Sequence, residues 1–157
     1  MHAATAQVAA ALTAAGIEPR VRLLDSSART AALAAQQLGV EVGAIANSLV
    51  FAADGAPLLV LTSGAHRVDT SLLATTLGAV AITRADPDFV REHTGQAIGG
   101  VAPVGHPSPL RTVVDIALAD YSDVWAAAGH PHAVFPTTFE ELVAVTGGIA
   151  AVVSRAD

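Results

Sequence analysis

Short apolar runs, separated by glycine, proline and aspartate, alternate along the chain between helical and extended spacing. Residues Ala4 to Ala15 read as a helix stopped by Gly16. Val21 to Leu24 has strand character, and Asp25-Ser26-Ser27 offers cap oxygens for a helix running to Leu38 and closed by Gly39. Ser48 to Ala53 and Pro57 to Thr62 flank Asp54-Gly55, which predicts a hairpin because the turn needs positive φ. Asp69 caps a helix over Thr70 to Leu77 that ends at Gly78, and Ala79 to Ile82 is a brief strand. Asp86-Pro87 opens a further helix, with proline at the first position, where a missing N–H costs nothing. Arg111 to Ile116, Val124 to Ala128 and His132 to Phe135 read as strands, the last two joined through Gly129-His130-Pro131. Thr137 and Glu140 form a capping box for a final helix that ends before Gly147-Gly148. Hairpins and helix-separated strands together predict a mixed sheet in an α+β or α/β domain.

Composition narrows the chemistry. The length of 157 residues suits one domain over 1–157, with a core large enough to stand without disulfide or metal. Apolar residues make up 52% and charged residues 14%, which excludes intrinsic disorder. No uncharged run reaches the roughly 18–20 strongly apolar residues of a membrane helix. Met1 to Gly16 lacks the basic start of a signal peptide, so the expected location is the cytoplasm. Cysteine is absent, which excludes a thiolate metal site and a cysteine nucleophile. All eight basic residues are arginine, so Schiff-base, P-loop and lysine general-base chemistry are excluded as well. The net charge of −6, with no basic stripe, limits any nucleic-acid contact to one that is small, weak or assisted.

Thr94 to Pro107 is the most unusual segment, with four glycines and two prolines within the 13 residues from Gly95 to Pro107. Gly99-Gly100 lets backbone N–H groups approach a ligand, and Pro103 stiffens the return. Such a loop either polarises a carbonyl oxygen or is simply a tight connection. It lacks the GxGxxG spacing of a dinucleotide site. Asn47-Ser48, at the head of an apolar strand, either points into a pocket or initiates the strand. His66, His106, His130 and His132 lack metal-ligand spacing, no HExxH or GxSxG occurs, and neither metal nor cofactor is expected. Asp69 and Asp86 are read as helix caps, and Tyr121 and Trp125 as packing residues.

Ile45-Ala46-Asn47-Ser48-Leu49-Val50-Phe51, Ser63-Gly64-Ala65-His66-Arg67-Val68-Asp69, Thr94-Gly95 with Gly99 to Gly105, and Ala127-Ala128-Gly129 occur in an order that resembles the YbaK family. This is the prolyl-tRNA-synthetase-associated editing domain superfamily. The resemblance runs from about Thr30 to Gly147, and its most specific part is the GxxxP pattern at Gly99 and Pro103. It implies an α+β domain, a mixed and largely antiparallel sheet flanked by helices, that hydrolyses, in trans, the ester between a wrong amino acid and the tRNA 3′ adenosine. It implies catalytic roles for Asn47, Gly99 and Gly100, with loop amides holding the aminoacyl carbonyl. Ser48, His66, Arg67, Pro103, His106, Gly129 and His130 are then expected to contact the substrate. The implied partners are the tRNA 3′ end, gripped weakly, and an aminoacyl-tRNA synthetase. One departure stands out. Many members carry an active-site lysine where this chain has Asn47, whose amide donates and accepts hydrogen bonds but brings no charge. Arg67 or a histidine is then the available cation. A substrate-assisted route fits, with a ribose hydroxyl directing the water. Two other readings stay open: a binding module that kept the pocket and lost the chemistry, and a hydrolase of small acyl esters.

Overall fold

The computed structural model describes residues 3–27 and 30–154. In chain order the elements are α1 (Ala3–Ala14), β1 (Arg22–Leu23), α2 (Ala31–Leu38), β2 (Ile45–Ala53), β3 (Ala56–Ser63), α3 (Thr70–Leu77) and β4 (Ile82–Arg84). There follow α4 (Pro87–Thr94), β5 (Arg111–Asp115), β6 (Val124–His130), β7 (Ala133–Thr137), α5 (Phe139–Thr146) and β8 (Ile149–Ala151). The strands form one sheet in the order β1-β7-β6-β2-β3-β5-β8, with β4 also paired to β2. Pairing is antiparallel at β1·β7, β2·β3, β2·β4 and β6·β7, and parallel at β2·β6, β3·β5 and β5·β8. The fold is the expected α+β arrangement of a mixed, largely antiparallel sheet with helices on both faces.

Local chemistry explains the boundaries. Asp69 accepts the Leu72 N–H and Asp86 the Phe89 N–H, and Gly39, Gly78 and Gly147 close their helices in the left-handed conformation. Asp54 (φ 50°) and Gly55 (φ 86°) both have positive φ, as the hairpin turn between β2 and β3 requires. The Asp54 carboxylate also accepts the N–H groups of Ala81 and Val80, which holds it below its usual range and ties the hairpin to the approach of β4.

Some expected boundaries shift. The cap of α2 is Thr30, whose hydroxyl accepts the Leu33 N–H, and Asp25 to Ser27 lie ahead of the helix. The expected continuation through 28 and 29 lies outside the described residues, as do 1–2 and 155–157 of the expected single domain. The last capping box is one residue later than expected, because Thr138 accepts the Glu141 N–H while Thr137 belongs to β7. The strand expected over Ala79 to Ile82 instead occupies Ile82–Arg84, where the Asp54 carboxylate has already captured the Val80 and Ala81 amides. β8 had no sequence counterpart.

β3 is the central strand. Leu58, Leu59, Val60 and Leu61 are all fully buried, because alternate side chains face different helical layers. Leu59 and Leu61 join Val8 and Leu12 of α1, Val90 of α4 and Leu142 of α5. Leu58 and Val60 join Leu73 of α3, while Ala34 and Ala35 of α2 cover Ile45 and Val134.

Candidate active site

β2 is paired along one edge and interrupted along the other. Across the two-residue turn, Ala53 pairs with Ala56, so the N–H and C=O of odd-numbered residues in β2 face β3. The Gly64 N–H bond to the Ile45 carbonyl, 2.8 Å, has the same phase. Even-numbered residues therefore face the opposite edge. There, pairing with β6 ends at Ala46↔Ala126, and pairing with β4 begins at Phe51↔Arg84. The main-chain groups of Ser48 lie in the gap and meet no strand.

A shallow cleft opens at this gap, with a cavity volume of about 30 Å³. Its floor is Ile45 to Ser48, and one wall is Ala126 and Ala127 with the half-buried Trp125. The N-terminal turn of α2 contributes Thr30, Ala31 and Ala34, and the glycine loop contributes Gly99 and Val101. The Ser48 hydroxyl oxygen is buried and has no hydrogen-bond partner. Nor does the Asn47 amide, or the N–H of Gly99 or Val101, make a hydrogen bond among the described residues. Unpaired polar groups are normally scarce in a folded interior, so their gathering at one cleft leaves capacity for a guest.

The loop over that cleft is fixed from behind. The buried Gln96 side chain accepts the Ala102 N–H at 2.7 Å and donates to the Val104 carbonyl at 3.3 Å. The Thr94 hydroxyl donates to the Val90 carbonyl at 2.7 Å and accepts the Gln96 N–H at 2.9 Å. Gly100 is wedged on the backbone of His130 and Pro131, where an added Cβ would sit 2.7–2.8 Å from their atoms. Its N–H donates to the Ala97 carbonyl at 3.0 Å, so it is committed inside the loop. Of the two loop residues that line the cleft, Gly99 and Val101, neither N–H is bonded among the described residues.

The expected site residues thus fall into three places. Asn47, Ser48 and Gly99 share the cleft. Gly100, Gly129 and His130 stand behind it. Gly129 has φ +93° and packs on the Ala4 backbone, and His130 Nδ1 accepts the His132 N–H at 3.1 Å. Pro103 and His106 line a different cavity, between the C-terminal ends of α1 and α5. His106 Nε2 donates to the Ala102 carbonyl at 2.8 Å, and burial, only partly offset by that bond, holds its pKa below 6.5. His66 and Arg67 are exposed on the turn after β3, away from the cleft wall.

Asp115 is the residue that sequence reasoning missed. Its carboxylate is 1% exposed and accepts the N–H groups of Ser63 and Ala117, both at 2.9 Å. The same Oδ2 stands 2.9 Å from His66 Nδ1 and 3.4 Å from the Thr62 hydroxyl. Thr62 is the cross-strand partner of Asn47, so this polar group begins one residue from the cleft floor. The signal in sequence was a single aspartate closing the apolar strand Thr112-Val113-Val114. Among the described residues no three His, Asp or Glu side chains gather as a metal site would require, and no helix is long and apolar enough to cross a membrane.

Comparison with known proteins places this geometry in context. The model of the aminoacyl-tRNA editing domain matches residues 25–145. A crystal structure of a provisionally assigned trans-editing enzyme for prolyl tRNA synthetase is 41% identical, with a TM-score of 0.93 over 99% of both chains. The uncharacterized protein YwhH of Bacillus subtilis (strain 168) is 31% identical over 80% of each chain. Proline–tRNA ligase of Desulforamulus reducens is 31% identical over 73% of this chain, which spans only 21% of the ligase.

Proposed function

Because the chain belongs to the aminoacyl-tRNA editing domain family, we propose that it is a trans-acting deacylase that hydrolyses the ester of mischarged tRNA. The observation that carries this reading is that Asn47, Gly99 and Val101, whose amide groups make no hydrogen bond among the described residues, all line the cleft at the β2 gap, in a chain of the editing-domain family. The Gly99 and Val101 N–H groups receive the aminoacyl carbonyl. As water adds to the carbonyl carbon, the charge developing on that oxygen is stabilised by these prepositioned dipoles. Asn47 orients the substrate or the attacking water. The proton lost by the water passes, through the neighbouring ribose hydroxyl, to the departing 3′ oxygen. The products are the free amino acid and intact tRNA, and no protein general base is needed. Gly100, Gly129 and His130 shape the loop from behind.

The protein grips little of the tRNA beyond its terminal adenosine, because a net charge of −6 disfavours phosphate contacts. A synthetase partner supplies the remaining affinity, and the working compartment is the cytoplasm. A second reading, a binding module for an aminoacyl-adenosine or a partner protein, draws on Asn47 alone, because an amide cannot neutralise an oxyanion as an ammonium does. The test is a panel of mischarged tRNAs incubated with the purified protein. Accelerated release of at least one amino acid supports the deacylase. No release by the natural chain, together with release by Asn47→Lys, favours the binding module.

A further inference from the structure

We propose that the cavity between the C-terminal ends of α1 and α5 is a second binding site, for an uncharged, mostly apolar small molecule carrying an N–H or O–H donor. The cavity has a volume of about 390 Å³, against about 30 Å³ for the cleft at the β2 gap. That volume lies inside the range of roughly 300–1,000 Å³ usual for small-molecule sites. Its apolar walls include Ala11, Ala14 and Ala15 of α1, Val145 of α5, and Val104 and Leu110 of the loop before β5. None of the described residues that line it is charged, and none adjoins an undescribed residue in the chain.

His106 supplies the polar group. Its Nε2 donates to the Ala102 carbonyl at 2.8 Å, so the proton of the neutral ring sits on that nitrogen and Nδ1 is left as an acceptor. Nδ1 has no partner among the described residues and, unlike the Ser48 hydroxyl, is reached by solvent. Of the lining hydroxyls, Ser108 is exposed, Thr112 donates to the Leu110 carbonyl at 2.9 Å and Thr146 to the Leu142 carbonyl at 2.7 Å. Charge of either sign is disfavoured here. Burial keeps the imidazole below its usual pKa, so the same surroundings work against a cation. Both helices bring their negative, C-terminal ends, with no basic residue in the last turn of either, which works against an anion. An occupant also bears on the loop that covers the β2-gap cleft, through Val104, whose carbonyl accepts the Gln96 side-chain amide.

The experiment titrates the isotopically labelled chain with indole, N-methylindole and indoleacetate while amide shifts are followed by NMR. Saturable indole shifts should centre on Gly105, His106, Leu110 and Val145. N-methylindole, which keeps the ring and lacks the donor, should bind about three- to tenfold more weakly, the worth of one net hydrogen bond. Indoleacetate should bind at least about tenfold more weakly than indole, because its carboxylate finds no counter-charge. In His106→Phe, which keeps a ring and loses the acceptor, the two neutral indoles should bind within about twofold of each other. Thermal melts establish whether that variant is folded; if it is not, the contrast in the natural chain decides alone. Binding is the readout, so the outcome does not depend on whether the chain cleaves an ester. No saturable shift, or shifts centred on Asn47 and Trp125, overturns the inference. So does equal binding of the two neutral indoles by the natural chain, a contrast that survives in folded His106→Phe, or indoleacetate bound as tightly as indole.

Discussion

Three residues carry separable consequences. Gly100 touches the His130–Pro131 backbone, which cannot turn aside as a side chain would. Gly100→Ala should therefore cost about 1–3 kcal/mol or more, read in denaturant melts, and should displace the loop over the cleft. Asn47 lies at the cleft surface with its amide uncommitted, so Asn47→Ala should leave stability nearly unchanged. Single-turnover deacylation should slow by about tenfold to a hundredfold, the usual range for losing one positioning or charge-stabilising group. His106 gives a pH signature. Burial lowers its folded pKa below the 6.5 of an unfolded histidine, so the folded state resists the proton. Its contribution to stability is complete above pH 6.5 and is lost as pH falls through the lowered folded value. His106→Gln, neutral throughout and able to donate to Ala102, should show a shallower loss between pH 7.5 and 5 in the same melts.

At the scale of elements, Asp115 ties the ends of β3 and β5 to the turn bearing His66. Both carboxylate oxygens accept bonds, so Asp115→Asn must turn an NH₂ toward an existing donor. The expected loss is about 1–3 kcal/mol, measured by chemical denaturation, with the 63–67 turn loosened in hydrogen exchange. What the sequence revealed and concealed follows the range of the interactions. Caps such as Asp69 and Asp86-Pro87 act within one turn, and their residues could be read directly. Thr30 and Thr138 were misjudged by a few residues because neighbouring serines and threonines offer the same oxygen. β8 escaped notice because three residues after Gly147-Gly148 carry no period, and only its pairing with β5 makes them a strand. Asn47 and Ser48 were legible as polar residues heading an apolar strand. Asp115 was not, because a buried carboxylate and a solvated one look alike until the strands meet. The separation of Pro103 and His106 from Gly99 follows from the direction in which the loop leaves the cleft, which is set by Gln96 and packing.

For the whole molecule, charge and topology set how it meets its substrate. With a net charge of −6, affinity for tRNA should fall only gently with salt. A log–log slope equivalent to about one to three phosphates is expected, and a slope equivalent to six or more would contradict a grip confined to the 3′ end. The interrupted edge of β2 adds an expectation for exchange. The Ser48 amide should exchange quickly although it lies mid-strand, while that of Leu49, bonded toward β3, should be protected. Bare strand edges are what allow sheets of separate molecules to fuse. Here the uncovered stretch is bracketed by β6 on one side and β4 on the other, too short for an intruding chain to gain a ladder. The molecule can thus keep raw hydrogen-bonding capacity on display for a small visitor without inviting its own copies to aggregate.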